Sequence, residues 1–250
     1  MAESDGHSPL DQFKISKILP MDLGGVDVSL TNSSVVMIAA VVLVTLFLTL
    51  GARARALVPG RWQGMAELSY EFVANMIRDN VGPEGRKYFP FIFSLFMFVL
   101  FGNLLGLVPY SFTFTSHIAV TATLAVAVIV MVTGVGLALH GLHFFGYFVP
   151  KGVPVVMLAL MVPIEIISYL SRPVSLSIRL FANMMAGHTM MKVFAGFVVT
   201  LGAATFGVGG IPPLAMNVAL TAFELLVAFL QAYVFAVLTC LYLNDSIHLH

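Results

Sequence analysis

Charged residues and cysteine are both scarce in this chain. Only 10% of its 250 residues are Asp, Glu, Lys or Arg, whereas a soluble domain carries about 25%. The twelve basic and twelve acidic residues balance, so nothing supports a nucleic-acid partner. The single cysteine, Cys240, excludes an internal disulfide and a cysteine metal cluster. The chain also lacks a phosphate loop of the G-x-x-x-x-G-K-S/T type, so we expect no bound nucleotide, and nothing indicates a metal or another cofactor.

Long apolar runs account for most of the sequence. Hydrophobic residues make up 59% of the chain, and a run of about 18 or more apolar residues is a candidate membrane-spanning helix. We therefore predict an all-α integral membrane protein with about five membrane-crossing helices and one interfacial amphipathic helix, the last two crossings forming a long tilted hairpin. No cleavable signal is expected, because Arg53, Arg55 and Arg61 follow the first apolar run instead of preceding it.

The predicted organisation is an external N-terminal arm, residues 1–33, with room for a short helix, followed by a single membrane domain, residues 34–250. Within that domain we predict a first span, an interfacial helix, a helical hairpin and a long tilted hairpin, in the segments 34–50, 60–80, 88–108 with 116–139, and 155–200 with 214–243. Pro163 and Pro173 are expected to break the 155–200 segment, and the glycine-rich residues 202–213 are predicted to form a turn.

Residues 60–80 differ from the apolar runs. Trp62, Met65, Leu68 and Met76 recur at helical spacing, and the charged residues fall largely elsewhere. This pattern favours an amphipathic helix lying at the cytoplasmic interface. It fits an ordinary soluble cap helix about equally well.

Basic residues predict the orientation of the chain in the membrane. The turn at 109–117 has none, whereas the segment 51–87 has six, which are Arg53, Arg55, Arg61, Arg78, Arg86 and Lys87. Because Lys and Arg accumulate in cytoplasmic loops, the 51–87 segment is predicted to lie inside and the N-terminus outside. Five crossings then place the C-terminus inside.

Three charged residues recur every seven positions late in the chain. Glu165, Arg172 and Arg179 therefore lie on one face of a predicted helix, with Ser175 on its flank and Asn183 one turn beyond Arg179. An arginine cannot lose its charge at any accessible pH, and placing one mid-helix in a bilayer costs about 2.5–3.5 kcal/mol. Arg179 is accordingly expected to face a protein partner or a water-filled cavity, and to be functional.

The last predicted helix carries a second polar line, in which Glu224 and Gln231 are seven positions apart. Residues that face each other in an antiparallel hairpin have a nearly constant sum of residue numbers. That sum is 410 for Arg179 with Gln231 and 412 for His188 with Glu224, so one register serves both pairs. We predict that Gln231 orients Arg179, and that His188 and Glu224 form a titratable pair nearer the outside.

Together these groups suggest a proton path that a fixed cation interrupts. The candidate path residues are Glu165, Asn183, His188, Glu224 and Gln231. Glu165 is predicted on the cytoplasmic side of Arg179 and His188 on the external side. A histidine exchanges protons near neutral pH, whereas an arginine does not release its proton and so blocks a continuous relay.

Structural roles stay open for these residues. Arg179 can serve in a structural ion pair, Glu165 can pair with Arg172 as a packing device, and Arg172 can instead extend to lipid headgroups. Arg172 and Ser175 are therefore secondary candidates. So is Asn103 in the earlier 88–108 segment, for which helix packing is the simpler role.

Structural roles also stay open for the residues that the two facing helices share. One alternative is that Asn183 and Gln231 serve merely as hydrogen-bond partners between the helices. His188 and Glu224 can form a static pair.

Three stretches of the sequence resemble subunit a of the F-type ATP synthase. They are GNLLGLVPY, RPVSLSIRLFANMMAGH and ELLVAFLQAYVFAVLTCLYLND, in this order, and the resemblance covers nearly all of the chain beyond the predicted arm. Relative to many bacterial members, His188 and Glu224 have exchanged identities, as in mitochondrial forms. Gly106 stands where some bacterial members have an aspartate.

The resemblance implies a non-catalytic stator subunit that passes protons to a rotating ring of c subunits. Protons would enter one aqueous half-channel, neutralise a ring carboxylate, travel with the ring and leave by the other half-channel. Arg179 matches the essential arginine of the family, and the path residues above match its half-channel positions. The implied partners are the c-subunit ring, the peripheral-stalk b subunits, the remaining ATP synthase subunits, protons and the lipid bilayer.

The implied location is a bacterial inner membrane, with a periplasmic N-terminus and a cytoplasmic C-terminus. A rival hypothesis is a self-contained proton or sodium channel or secondary transporter, which predicts inverted repeats or a complete binding cage within the chain. The sequence shows neither. A purely structural scaffold is a third hypothesis, but it does not explain aligned titratable groups on two helices.

Overall fold

A computed structural model describes residues 15–20, 22–23, 26–27, 29–53, 60–108, 111–149 and 155–248. Short strands β1–β4 (Lys17–Leu19, Asp22–Leu23, Val26–Asp27 and Leu30–Thr31) precede helices α1–α6, which are Asn32–Arg53, Arg61–Val81, Phe89–Gly106, Ile118–His140, Val155–Ala204 and Ile211–Ile247. Short 3-10 helices lie at Pro83–Tyr88, Phe114–Ser116, Gly141–Phe148 and Val208–Gly210. The all-α prediction is confirmed.

Five helical segments of the described part are long and apolar enough to cross a membrane. They correspond to the five predicted crossings and include α1, α3, α4, α5 and α6. Each of the six predicted helical segments matches a helix with bounds that differ by a few residues. The amphipathic segment is α2, whose buried residues, Val73, Met76, Ile77 and Val81, share one face.

The two prolines in α5 do not break it, so that expectation was wrong. Pro163 and Pro173 both lie inside one helix of 50 residues. A proline removes only one backbone hydrogen bond, and membrane helices tolerate this because neighbouring groups satisfy the freed carbonyl. At 1.5 Å per residue α5 is about 75 Å long, far more than the hydrocarbon thickness of about 30 Å.

The turn after α5 is shorter than residues 202–213, the range predicted from the glycines. Helix α5 continues to Ala204 and α6 begins at Ile211, with its two prolines, Pro212 and Pro213, in the first turn, where no backbone N–H is needed. Gly207 adopts a φ of 96°, a value that suits glycine.

The described residues of the predicted N-terminal arm form short strands, and the short helix that the arm has room for stays a prediction. Lys17 pairs with Thr31 and Leu19 with Leu30 in an antiparallel ladder. Thr31 then caps α1, because its Oγ1 accepts a hydrogen bond from the Ser34 N–H at 3.3 Å. Residues 1–14 lie outside the described part.

The described residues divide into two compact units. The first takes in Met1–Thr45, Phe98–His117 and Phe181–Gln231. Its packing includes a close contact in which the ring of Phe114 lies directly against Gly102 of α3, where no side chain larger than hydrogen fits. This contact fixes the 3-10 turn after α3 against the helix and places the preceding residue, Thr113, near α3.

The second unit takes in Leu46–Met97, Ile118–Leu180 and Ala232–His250. Its helix α4 is buried along one stripe at Thr121, Ala125, Val128, Val132 and Gly136. The Ser246 hydroxyl of α6 donates to the Val132 carbonyl at 2.9 Å. This bond attaches the end of α6 to α4.

Arg172 is held by the end of α6 in this second unit. Its Nη2 lies 3.0 Å from Asp245 Oδ2, and its guanidinium carbon is 4.9 Å from the ring centroid of Tyr242 and 5.4 Å from that of Tyr169. The ion pair was not expected from the sequence, because Asp245 lies outside the predicted helix 214–243. Among the described residues Glu165 takes part in no ion pair, so the Glu165–Arg172 pair does not form.

Candidate functional site

A buried histidine and a buried carboxylate face each other between α5 and α6 of the first unit. His188 Nε2 lies 3.7 Å from Glu224 Oε1, and the two residues are only 6% and 3% exposed. The register deduced from the sequence predicted this pairing, and the structure places the two side chains together. The separation is too long for a direct hydrogen bond, so the two groups are neighbours whose proton exchange needs a small movement or an intervening water.

Thr113 joins this pair from the segment after α3. Its Oγ1 lies 3.0 Å from His188 Nε2, within hydrogen-bond distance, and either atom donates according to the histidine tautomer. Sequence reasoning missed Thr113, because a threonine 75 residues away in a short turn carries no periodic signal. The same hydroxyl lies 3.3 Å from the Gly106 carbonyl, and a Cβ at Gly106 would meet the Thr113 side chain at 2.6 Å. Any larger side chain at position 106 would therefore require the Thr113 side chain to move.

A second polar pair lies further along the same two helices. Asn183 Nδ2 donates a hydrogen bond of 2.8 Å to Gln231 Oε1. Gln231 is buried, with 4% exposure, and Asn183 is exposed. The expected pairing of Gln231 with Arg179 joins residues of different units and stays a prediction.

A cavity of about 320 Å³ lies beside Glu224 and reaches Asn183. Its lining also includes Gly187, Met190 and Phe223. A cavity of this size that offers polar partners can hold water. Both carboxylate oxygens of Glu224 are buried without a hydrogen-bond partner among the described residues, so the cavity is their available source of solvation.

Gly187 sets the space around the Glu224 carboxylate. A Cβ built there would lie 2.6 Å from Glu224 Cδ and closer still to Oε1, distances that real Cβ contacts do not show. A glycine at this position lets α5 pass directly over the acid. Sequence reasoning did not single out Gly187, although small residues commonly mark close helix contacts in membrane proteins.

Of the other candidate residues, Asn103 belongs to the first unit, and Glu165, Arg172, Ser175 and Arg179 belong to the second. Asn103 is fully buried and donates from Nδ2 to the Ala228 carbonyl at 3.2 Å, which is the helix-packing role. Arg179 and Ser175 are exposed, and Glu165 is partly exposed, on the part of α5 in the second unit. Arg172 belongs to the Asp245 ion pair described above.

A family model and individual relatives both match this chain, and they name the same family. Residues 34–244 match the family model described as ATP synthase A chain. The ATP synthase subunit a of Mesorhizobium japonicum is 61% identical over 247 residues, covering 98% of each chain. That of Paramagnetospirillum magneticum is 56% identical over 246 residues, covering 97% of this chain and 99% of the relative.

A third relative, the ATP synthase subunit a of Rhodospirillum rubrum, is 57% identical over 244 residues and covers 98% of this chain and 100% of its own length. The matches thus include both helices that carry the polar cluster. With this coverage and identity, the chain belongs to the ATP synthase A chain family.

Proposed function

We propose that this chain is the proton-translocating stator subunit of an F-type ATP synthase. In this role it provides two offset aqueous half-channels and one essential arginine, and these exchange protons with the carboxylates of the c-subunit ring. Proton flow is thereby coupled to rotation. The chain is not an enzyme on its own, because the ATP chemistry takes place elsewhere in the complex.

The observation that carries the proposal is the buried His188–Glu224 pair with its cavity. The two titratable groups lie 3.7 Å apart inside helices that are long enough to span a membrane. Placing ionisable groups in a bilayer is energetically unfavourable, so a purely structural role does not account for them. The Glu224 side chain borders a cavity that can hold water. A proton arriving there has acceptors on both helices, and the Thr113 hydroxyl adds a third.

The exposure and charge of Arg179 are a second observation that supports this role. Its side chain is exposed on an apolar helix, and within the second unit no described carboxylate pairs with it, since Asp245 is held by Arg172. A permanent cation at the surface of a membrane helix requires a counter-charge. We assign that counter-charge to the ring carboxylate, whose anion is stable away from water only when it is paired.

The order of events follows from these charges. A ring carboxylate reaching Arg179 loses its proton to one half-channel, because the cation stabilises the anion. After it passes Arg179, the other half-channel reprotonates it before it returns to lipid. Arg179 itself releases no proton, so it prevents a direct leak between the half-channels. A potential of 100 mV supplies about 2.3 kcal/mol for each charge that crosses.

The basic residues support an orientation of the chain, and the family supports its membrane. We propose a bacterial inner membrane, with the N-terminus in the periplasm and the C-terminus in the cytoplasm. Glu165 then belongs to the cytoplasmic half-channel, and Asn183, His188, Glu224 and Gln231 to the periplasmic one. The peripheral-stalk b subunits complete the stator.

Reconstitution separates this proposal from a self-contained channel or transporter. Purified chain alone in proton-impermeable vesicles is expected to give no proton flux above empty vesicles under an imposed potential, followed with a pH-sensitive dye. The assembled ATP synthase in matched vesicles is expected to pump protons when ATP is added. Robust flux through the isolated chain, saturating with ion concentration, would establish the transporter instead.

Gly187→Ala tests the geometry around Glu224. The added methyl overlaps the end of the Glu224 side chain, so the carboxylate has to move from its place beside His188. We expect proton-driven ATP synthesis to fall on the order of tenfold, because a misplaced reacting group slows its reaction. The measurement is the rate of ATP synthesis in inverted membrane vesicles energised by a respiratory substrate.

Gly196→Ala is the matched control for this substitution. It makes the same change in the same helix, but a Cβ at position 196 meets nothing within 4 Å. ATP synthesis in that variant is expected to equal that of the unmodified enzyme. Equal rates in both glycine variants would show that the tight approach to Glu224 plays no part in proton transfer.

A further inference from the structure

A cavity of about 780 Å³ lies in the second unit, where α2 leads into α3. Its lining includes Arg78, Arg86, Tyr70 and Phe89. We propose that this cavity binds the phosphate-bearing headgroup of an anionic phospholipid. The bound lipid would fasten the amphipathic helix α2 to the membrane surface.

The cavity lies at the connection between α2 and α3. Helix α2 ends at Val81, Gly82 follows with a φ of 84° and a ψ of −165°, and a 3-10 helix from Pro83 to Tyr88 leads into α3. Arg78 lies in the last turn of α2 and Arg86 in the last turn of the 3-10 helix. Both arginines line the same cavity, although eight positions separate them in the sequence.

Both arginines are available to an anion. Arg78 and Arg86 are exposed, and among the residues that the structure describes neither forms an ion pair. The acids nearest in sequence, Asp79 and Glu84, are not part of the cavity lining. Two unpaired guanidinium groups beside one cavity match a phosphate, which accepts paired N–H donors from each.

The remaining wall is apolar and suits a lipid, not a free ion. The rings of Tyr70 and Phe89 are 4.6 Å apart between centroids, and Phe89 stacks on Phe93 at 5.3 Å. Tyrosine side chains such as Tyr70 concentrate at the level of lipid headgroups. Pro90 and Ile77 continue this apolar surface, which lies along the start of α3, where acyl chains would begin.

The position of the cavity at the start of a candidate membrane span agrees with a lipid headgroup as its occupant. One of the candidate membrane spans begins at Pro83, which itself lines the cavity. Upstream, Trp62, Met65 and Leu68 of α2 are 61%, 46% and 68% exposed, so the first half of α2 presents apolar side chains outward. An amphipathic helix with outward apolar residues and basic groups at its end is a typical interfacial element.

The test measures lipid retention by the assembled ATP synthase. The complex is delipidated, loaded with phosphatidylglycerol or phosphatidylcholine, and examined by native mass spectrometry of the intact membrane sector. An Arg78→Gln/Arg86→Gln double variant is expected to bind phosphatidylglycerol roughly thirtyfold more weakly, since each arginine near an anionic lipid contributes about a fivefold factor. The matched control is Arg61→Gln/Lys87→Gln, which removes two exposed cations of the same region outside the lining and is expected to leave retention unchanged.

Several results would overturn the proposal. Equal retention of phosphatidylglycerol by the double variant and the control would do so, as would equal binding of phosphatidylcholine by the unmodified enzyme. Displacement of the lipid by inorganic phosphate at equal concentration would show an ion site without lipid selectivity. Loss of the peripheral stalk in the double variant, with lipid retention intact, would assign the cavity to a protein partner.

A second measurement uses the unmodified enzyme, so the result does not depend on assembly of the variants. A photoactivatable phosphatidylglycerol with its reactive group near the headgroup is expected to label the peptide that contains residues 70–90. A phosphatidylcholine analogue is expected to label it at least several-fold less. Equal labelling by both analogues, or labelling only elsewhere in the chain, would contradict the proposal.

Discussion

Arg179→Ala is expected to abolish coupled ATP synthesis. The ring carboxylate would then have no counter-charge where it must be ionised, and an unpaired buried charge typically costs about 3–5 kcal/mol. That cost corresponds to a loss on the order of a hundredfold or more in turnover. The measurement is ATP synthesis, together with ATP-driven proton pumping, in vesicles that contain the assembled variant complex.

The same variant is expected to conduct protons passively once the catalytic head is removed, because the fixed cation no longer separates the half-channels. Two controls accompany it. Lys192→Ala removes an exposed cation from the same helix and is expected to retain most of the activity, whereas Arg179→Lys keeps the charge but loses the planar fork. ATP-driven pumping at the unmodified rate by Arg179→Ala would remove Arg179 from the mechanism.

Much of the fold could be predicted from hydropathy, and the reasons are physical. A membrane helix must satisfy its own backbone in lipid, so each long apolar run is almost obliged to be a helix. This constraint located α1, α3, α4, α5 and α6 within a few residues, whereas α2 was located from its amphipathic periodicity. It also explains the error at Pro163 and Pro173, since the rule that proline ends a helix comes from proteins in water.

In the candidate site, too, some contacts could be predicted from the sequence and others could not. The His188–Glu224 pair was predictable, because helical periodicity and a short connecting turn together fix the register of a hairpin. Thr113 was not predictable, because its contact depends on how a third segment packs on that hairpin, and no periodic pattern encodes such packing. Asp245 was missed for another reason, because α6 continues to Ile247, beyond the predicted end of the last helix at residue 243. Gln231 shows the limit of a register argument. Within the first unit its side-chain oxygen accepts a hydrogen bond from Asn183, a bond that the register did not specify, and the pairing with Arg179 stays a prediction.

Glu224→Gln is expected to slow proton transfer from the periplasmic side without loss of assembly. The amide has nearly the shape of the carboxylate but does not exchange a proton, and a positioned acid–base group contributes on the order of a hundredfold or more to proton transfer. The side chain borders a cavity of about 320 Å³, so the variant has room to pack as before. Proton flux through membrane vesicles stripped of the catalytic head measures this step directly.

Variants of His188 test whether His188 and Glu224 act in the same step of proton transfer. If His188 and Glu224 pass one proton between them, Glu224→Gln and His188→Ala interrupt the same step, and the double variant should be little slower than the slower single variant. Glu67→Gln, which changes an exposed carboxylate of α2, is expected to have no effect on flux. Unchanged flux in Glu224→Gln would make the pair a static contact. Two fully additive losses would instead assign His188 and Glu224 to separate steps, because groups that relay the same proton cannot fail independently.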